Sequence, residues 1–174
     1  APIFTTIANQ TVEFNTSFTY AITATDASNI SCFHLNNSNF QINCTGYLQN
    51  NTILDLNLYW FNITVNDTLN NTNAEIMFVN VTDTTKPIIH TVDVTPTIGL
   101  KGTIFNVSVN TSDNHNVSTV TAYIQKPDEN SSLNITLGLL NGLYNGSWNS
   151  SSQSSGTYVL DIIVNDTSGN YQEQ

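Results

Sequence analysis

The sequence has no arginine and only three lysines, and charged side chains make up 9% of its 174 residues, far below the roughly 25% usual for soluble domains. With a formal net charge of −10, it lacks the cations that neutralise phosphates, which argues against nucleic acid and against anionic membrane surfaces. No apolar run approaches the roughly 18 residues of a membrane span, and no basic, apolar leader opens the chain. Ala1 therefore reads as a mature or excised terminus, with any leader or anchor in sequence beyond it. No segment keeps a 3.6-residue apolar period, so no helix is expected. No Ser or Cys sits in a nucleophile motif, and His34, His90 and His115 fall on separate predicted elements without ligand spacing. The chain does not read as an enzyme.

What is abundant is asparagine (27), threonine (25) and serine (16). These residues form the sequon Asn-x-Ser/Thr 18 times, at Asn9, Asn15, Asn29, Asn36, Asn43, Asn50, Asn62, Asn66, Asn70, Asn80, Asn106, Asn110, Asn116, Asn130, Asn134, Asn145, Asn149 and Asn165. Random placement at this composition gives about six. A compositional bias toward Asn and Thr would raise the count without any glycan, but it would not set the phase. In a strand, residues i and i+2 share a face. Phe61-Asn62-Ile63-Thr64-Val65-Asn66 and Phe105-Asn106-Val107-Ser108-Val109-Asn110 put apolar side chains on one face and acceptor sites on the other. Asn80-Val81-Thr82 and Asn134-Ile135-Thr136 repeat the arrangement. Glycan is expected to stand where other proteins place Lys and Glu.

Short alternating runs separated by turn clusters give an all-β fold of two tandem Ig-like or cadherin-like sandwiches, residues 1–86 and 87–174, divided at Thr84-Thr85-Lys86-Pro87. In the first, Phe18/Tyr20/Ile22/Ala24, Phe33/Leu35, Phe40/Ile42, Leu54/Leu56/Leu58, Phe61/Ile63/Val65 and Met77/Val79/Val81 read as strand faces. The second gives six such runs, with Asn141-Gly142 as a hairpin turn. Val65-Asn66-Asp67-Thr68 and Val164-Asn165-Asp166-Thr167 echo each other near the end of each half.

Asn9-Gln10-Thr11-Val12, Phe18-Thr19-Tyr20, Ala24-Thr25-Asp26 and Phe40-Gln41-Ile42-Asn43 leading to Thr45-Gly46 resemble cadherin-like, dystroglycan-type repeats. Ser155-Gly156-Thr157-Tyr158 and Asp166-Thr167-Ser168-Gly169-Asn170 resemble Ig-like repeats of prokaryotic, especially archaeal, surface glycoproteins. The resemblance implies an extracellular or cell-surface filament, surface layer or adhesive stalk, without catalysis.

Cys32 and Cys44 are the only cysteines. An even count in an exported β-protein suggests a disulfide, and a hairpin turning around Ser38 would place the two opposite each other; two buried thiols are the alternative. Calcium is the one cofactor admitted, at Asp26, Asp67 and Asp83, which end strands where cadherin-type modules bind it. Asp as a turn former, bonding its own backbone, is the simpler role. Asp113 and Asp166 pose the same choice at the far pole of the second half.

The second half stops eight residues after Asp166, without an evident apolar closing strand. The expectation is a chain cut from something longer, or a strand supplied by another copy. Ile3, Phe4 and Ile7 are the natural donors, with Ile3 and Ile7 facing inward, so that copies of the chain join head-to-tail into a structural filament or sheath. An adhesin or ligand-binding stalk module, using Tyr59, Trp60 or Trp148, is one rival. An accessory domain of a secreted enzyme is the other. If the sequons carry glycan, the native mass lies well above the 19.1 kDa of the bare chain and falls on deglycosylation; a native mass of 19.1 kDa contradicts the reading.

Overall fold

The computed structural model describes residues 1–127 and 132–174, and the chain divides into two compact units, Ala1–Asp83 and Thr84–Gln174. The sequon at Asn130 lies outside the described residues. The chain is all-β with no helix among the described residues.

Unit 1 contains β1 (Ile3–Thr6), β2 (Gln10–Glu13), β3 (Thr19–Ala21), β4 (Thr23–Thr25), β5 (Ile30–Leu35), β6 (Phe40–Ile42), β7 (Tyr47–Asn50), β8 (Leu58–Asp67) and β9 (Thr72–Thr82). They form the sheets β2-β9-β8-β5, β3-β7-β6 and a small pair, β1-β4. Unit 2 contains β10 (Ile88–Thr95), β11 (Ile104–Ser112), β12 (Val117–Gln125), β13 (Ser132–Thr136), β14 (Gly138–Leu140), β15 (Leu143–Asn149), β16 (Val159–Asp166) and β17 (Tyr171–Glu173). These make two four-stranded sheets, β10-β11-β15-β14 and β13-β12-β16-β17.

Alternation decides which side chains enter the cores. Phe61, Ile63 and Val65 of β8 and Met77, Val79 and Val81 of β9 are buried, and Phe18, Ile22, Phe33, Phe40 and Leu48 pack against them. In unit 2, Val107, Val109, Val120, Ala122, Leu137, Ile162 and Val164 play the same part. Each such side chain contributes roughly 1.5–3 kcal/mol by leaving water. Phe18 to Ala24 keep one phase, yet the run is not a single strand. It breaks at Ile22, β3 joining β7 and β4 joining β1. Gly46 makes that crossing tight: its φ is +83° and a Cβ there would meet the Ile22 carbonyl oxygen at 2.0 Å. Leu54/Leu56/Leu58 is a correction. Strand structure begins only at Leu58; Leu54 is buried from a loop while Leu56 faces solvent. The Asn141-Gly142 turn forms, both residues having positive φ, and closes Leu140 onto Leu143.

The tetrapeptide echo is a structural device. In unit 1, Asp67 Oδ1 accepts the backbone N–H groups of Leu69 (2.9 Å) and Asn71 (2.8 Å), and Oδ2 accepts Asn71 Nδ2 (2.7 Å). In unit 2, Asp166 Oδ1 accepts Ser168 N (2.8 Å) and Asn170 N (2.8 Å), and Oδ2 accepts Asn170 Nδ2 (2.7 Å). Asn70 and Gly169 supply the positive φ each turn needs. Both carboxylates are buried, so each turn locks the hairpin that leads into the last strand of its unit. The Asn71 side chain, opposed by burial and aided by the backbone donors of Asn71 and Leu69, holds the Asp67 carboxyl below its ordinary value of 3.8.

Because the unfolded chain takes up the Asp67 proton more readily, the stability this turn contributes is complete above the unfolded pKa and is lost as pH falls through the lower folded one. In denaturant titrations of unit 1 from about pH 5 to about pH 2, the gap between wild type and Asp67→Asn should therefore close toward acid. A gap independent of pH contradicts the assignment.

Candidate functional site

The sequon asparagines keep the phase their sequence implies. Apart from Asn130, every one of them is exposed or half-buried, and none is buried. Asn43 Oδ1 accepts its own Thr45 N–H (3.0 Å) and hydroxyl (2.7 Å), and Asn149 Oδ1 accepts those of Ser151 (2.9 and 2.6 Å), leaving each amide nitrogen outward at a turn. Elsewhere the amide nitrogen is engaged: Asn50 donates to the Thr52 carbonyl, Asn145 to that of Leu143, and Asn165 to the Thr119 hydroxyl.

Cys32 and Cys44 are joined by a disulfide, but the hairpin register expected for them is not what joins them. β5 pairs with β8, and β6 pairs with β7 in a different sheet. The bond therefore ties two sheets of unit 1 together rather than two neighbours in one.

Two of the three residues expected for calcium, Asp26 and Asp67, are engaged in turns. Asp26 accepts Ser28 N (2.8 Å) and faces the Ala1 ammonium at 3.3 Å. Asp67 is consumed by its turn, and Asp83 is buried at the end of unit 1. Asp26 and Asp67 thus behave as turn residues. In unit 2, Asp113 and Asp166 bring carboxylate oxygens within 4.8 Å of each other, and one Asp113 oxygen is buried without a hydrogen bond. His90 bonds Ser112 (2.8 Å) and His115 bonds Thr167 (3.0 Å), each within its own surroundings in unit 2.

The least complete feature is the edge of unit 2. β9 covers β8 from Asn66↔Thr72 to Leu58↔Asn80. β17 exists, a correction to the expectation of no closing strand, but it covers β16 only from Asn165↔Tyr171 to Ile163↔Glu173, with Gln174 bonding Ile162 in both directions. Amide direction alternates along a strand, so Leu160 is the next residue whose N–H and C=O face outward from this edge; among the described residues no strand pairs with it there. Beside this edge lies a cleft of about 480 Å³ whose lining includes Val94, Phe105, Ile124, Trp148, Tyr158 and Leu160. Trp148 stacks on Phe105 (5.0 Å between centroids) and touches Tyr158 (4.6 Å), and its indole N–H is buried without an acceptor.

The expected donor residues are placed in unit 1, with Ile3 and Phe4 in the opposite phase and Ile7 inward as expected. Phe4 and Ile7 pack on the core of unit 1, Phe4 lying 6.3 Å from Phe33 between centroids, whereas Ile3 is 67% exposed. A register shift between Phe4 and Thr6 accompanies the reversal. Of the aromatics singled out, Tyr59 packs against Phe40 and Trp148 is buried, but Trp60 is 56% exposed. Its exposure was legible from the phase of β8, where Phe61 points inward.

No family model matches the chain, and no curated protein does. Among solved structures, titin domains Z1Z2 in complex with telethonin align over 99% of this chain and 92% of theirs, at 12% identity and a TM-score of 0.51. Protocadherin gamma B2 extracellular cadherin domains 3–6 align over 100% of this chain and 46% of theirs (16% identity, TM-score 0.47), and fibronectin(III)-like modules of Clostridium thermocellum CbhA over 100% and 90% (14%, 0.39).

The bridge closes a loop of sequence separation 12, for which chain entropy gives a stabilisation of about 3 kcal/mol. Reduction should lower the unfolding transition of unit 1 and leave that of unit 2 in place; equal shifts in both contradict this. By fold, the chain is a tandem of Ig-like β-sandwiches.

Proposed function

We propose that this chain is the repeating structural subunit of an N-glycosylated extracellular filament or cell-surface sheath, built by passing the N-terminal strand of one copy into unit 2 of the next. The observation that carries the reading is the apolar cleft lined by Phe105, Trp148 and Leu160. An unpaired edge over a partly filled core recruits a strand. Because donor and acceptor lie on different units, the contact is heterologous and propagates as a chain of copies.

The donor has a short sheet pairing at home. β1 pairs only with the three-residue β4, through a broken register, and Ile3 gains nothing there. Leaving costs the packing of Phe4 and Ile7 on the unit 1 core, the burial of Pro2, the Asn73 Nδ2 bond to the Pro2 carbonyl and the Ala1–Asp26 ion pair. Entering the cleft buries Ile3 at about 1.5–3 kcal/mol, returns Ile7 to an apolar site, covers the half-buried Phe105 and Leu160, and pairs the Leu160 edge at about 1 kcal/mol per hydrogen bond. The sequons along the outward strand faces favour glycan as the wetting layer and disfavour broad side-to-side packing, so strand exchange is the contact left. The disulfide fits an oxidising exterior.

Electron microscopy of native material, together with light scattering of two variants, tests this. Wild type should form filaments. Deletion of residues 1–7 and, separately, Leu160→Glu should each give soluble monomers, and a peptide of residues 1–8 should raise the melting of unit 2 in the deletion variant. Filaments that survive both changes, or native protein that is monomeric because further chain closes its own sheet, refute strand donation; the monomer supports a stalk module instead.

A further inference from the structure

On the outward face of the β8–β9 pair, Trp60 lies directly across from Phe78, with ring centroids 4.8 Å apart. Leu58 (42% exposed) and Ile76 (68% exposed) extend the patch along the same face. In a chain so poor in charge this is an unexpected place for apolar surface, since exposed apolar clusters mark something that covers them. Core packing does not use these side chains: Phe61, Met77 and Val79 fill the core from the other face.

The sequence around the two rings names the cover. Trp60-Phe61-Asn62-Ile63-Thr64 and Phe78-Val79-Asn80-Val81-Thr82 each set an aromatic ring two residues before a sequon asparagine. None of the other 16 sequons has Phe, Tyr or Trp at that position. Two residues along a strand means the same face, about 7 Å away, within reach of the first sugar on that asparagine. The antiparallel register then does something neither strand does alone. Asn62 stands opposite Ile76, and Asn80 stands opposite Leu58. The ring pair is therefore flanked along the strand axis by Asn62 on one side and Asn80 on the other, at diagonal corners of the patch. The two asparagines are half-buried, and Asn62 Oδ1 is buried without a hydrogen-bond partner.

We infer that N-linked glycans on Asn62 and Asn80 fold back over Trp60 and Phe78, so that this face of unit 1 is a built sugar-stacking platform rather than a docking site for another protein. The chemistry is that of a pyranose, whose axial C–H groups make one face apolar and weakly positive, against the negative face of an aromatic ring. Two sugars arriving from opposite corners cover both rings, and Leu58 and Ile76 complete the apolar floor. This inference rests on the glycosylation proposed above.

The test reads Trp60 directly, because the other tryptophan, Trp148, is buried. Site-resolved glycopeptide mapping of native protein should find Asn62 and Asn80 occupied, and Trp60 should resist acrylamide quenching. Removing both acceptors with Thr64→Ala and Thr82→Ala should raise quenching severalfold and lower the melting temperature of unit 1. Removing a unit 2 acceptor with Ser108→Ala should change neither. In Trp60→Ala/Phe78→Ala protein, removing the two glycans should no longer alter the melting of unit 1. Glycan elsewhere but not at these two sites, or occupied sites with Trp60 equally quenched with and without them, overturns the stacking and leaves the glycoprotein reading intact. Absence of glycan at every site overturns both. Protection that persists without the two glycans and grows with protein concentration assigns the face to a protein partner instead.

Discussion

Every second residue of a strand faces away from the core, and in this chain that face must be wetted with almost no charge. That constraint organises the rest. With three cations and no arginine in 174 residues, salt bridges cannot decorate the sheets, so Asn, Thr and Ser occupy the outward phase while Val, Ile, Leu and Phe occupy the inward one. The same alternation that buries Phe61, Ile63 and Val65 sets Asn62, Thr64 and Asn66 at the surface. Core formation and acceptor-site display are one pattern read from two sides.

The two units solve the closing of a sandwich differently with the same turn. A buried Asp, an Asn four residues on and a positive φ between them launch the last strand in each. In unit 1 that strand, β9, runs eleven residues and carries Met77, Val79 and Val81 into the core. In unit 2, β17 runs three, and its hydrogen bonds stop at Ile162. An apolar cleft lined by Trp148 and Leu160 lies in the same unit. The strand exchange proposed above would supply backbone partners for the edge and apolar volume for the cleft.

What the sequence made legible was local. Alternation identified most strands, the Asn-Gly turn and the Asp-Thr echo, because these depend on neighbours two to four residues apart. Pairing partners are set by contacts remote in sequence, so the switch of sheets at Ile22, and between β5 and β6, was hidden; the disulfide was expected for a register that does not exist. Leu54 mimicked a strand because burial from a loop leaves the same residue type as burial from a sheet. Asp26 and Asp67 resembled ligands because a carboxylate that caps a turn and one that binds an ion end a strand in the same way. The phase of Ile3 and Phe4 was read from ideal alternation, which the register shift in β1 breaks. Trp60 was readable: the inward Phe61 beside it fixes its outward direction.

The central claim is that the open edge of unit 2 is completed by a strand from another copy. Hydrogen exchange of the Leu160 amide, compared between native assemblies and the monomers obtained by dissociating them, measures that edge directly. Its N–H should be strongly protected in the assembly and exchange rapidly in the monomer, while Ile162, already bonded to Gln174, stays protected in both. Leu160 exchanging equally in the two states would contradict the account.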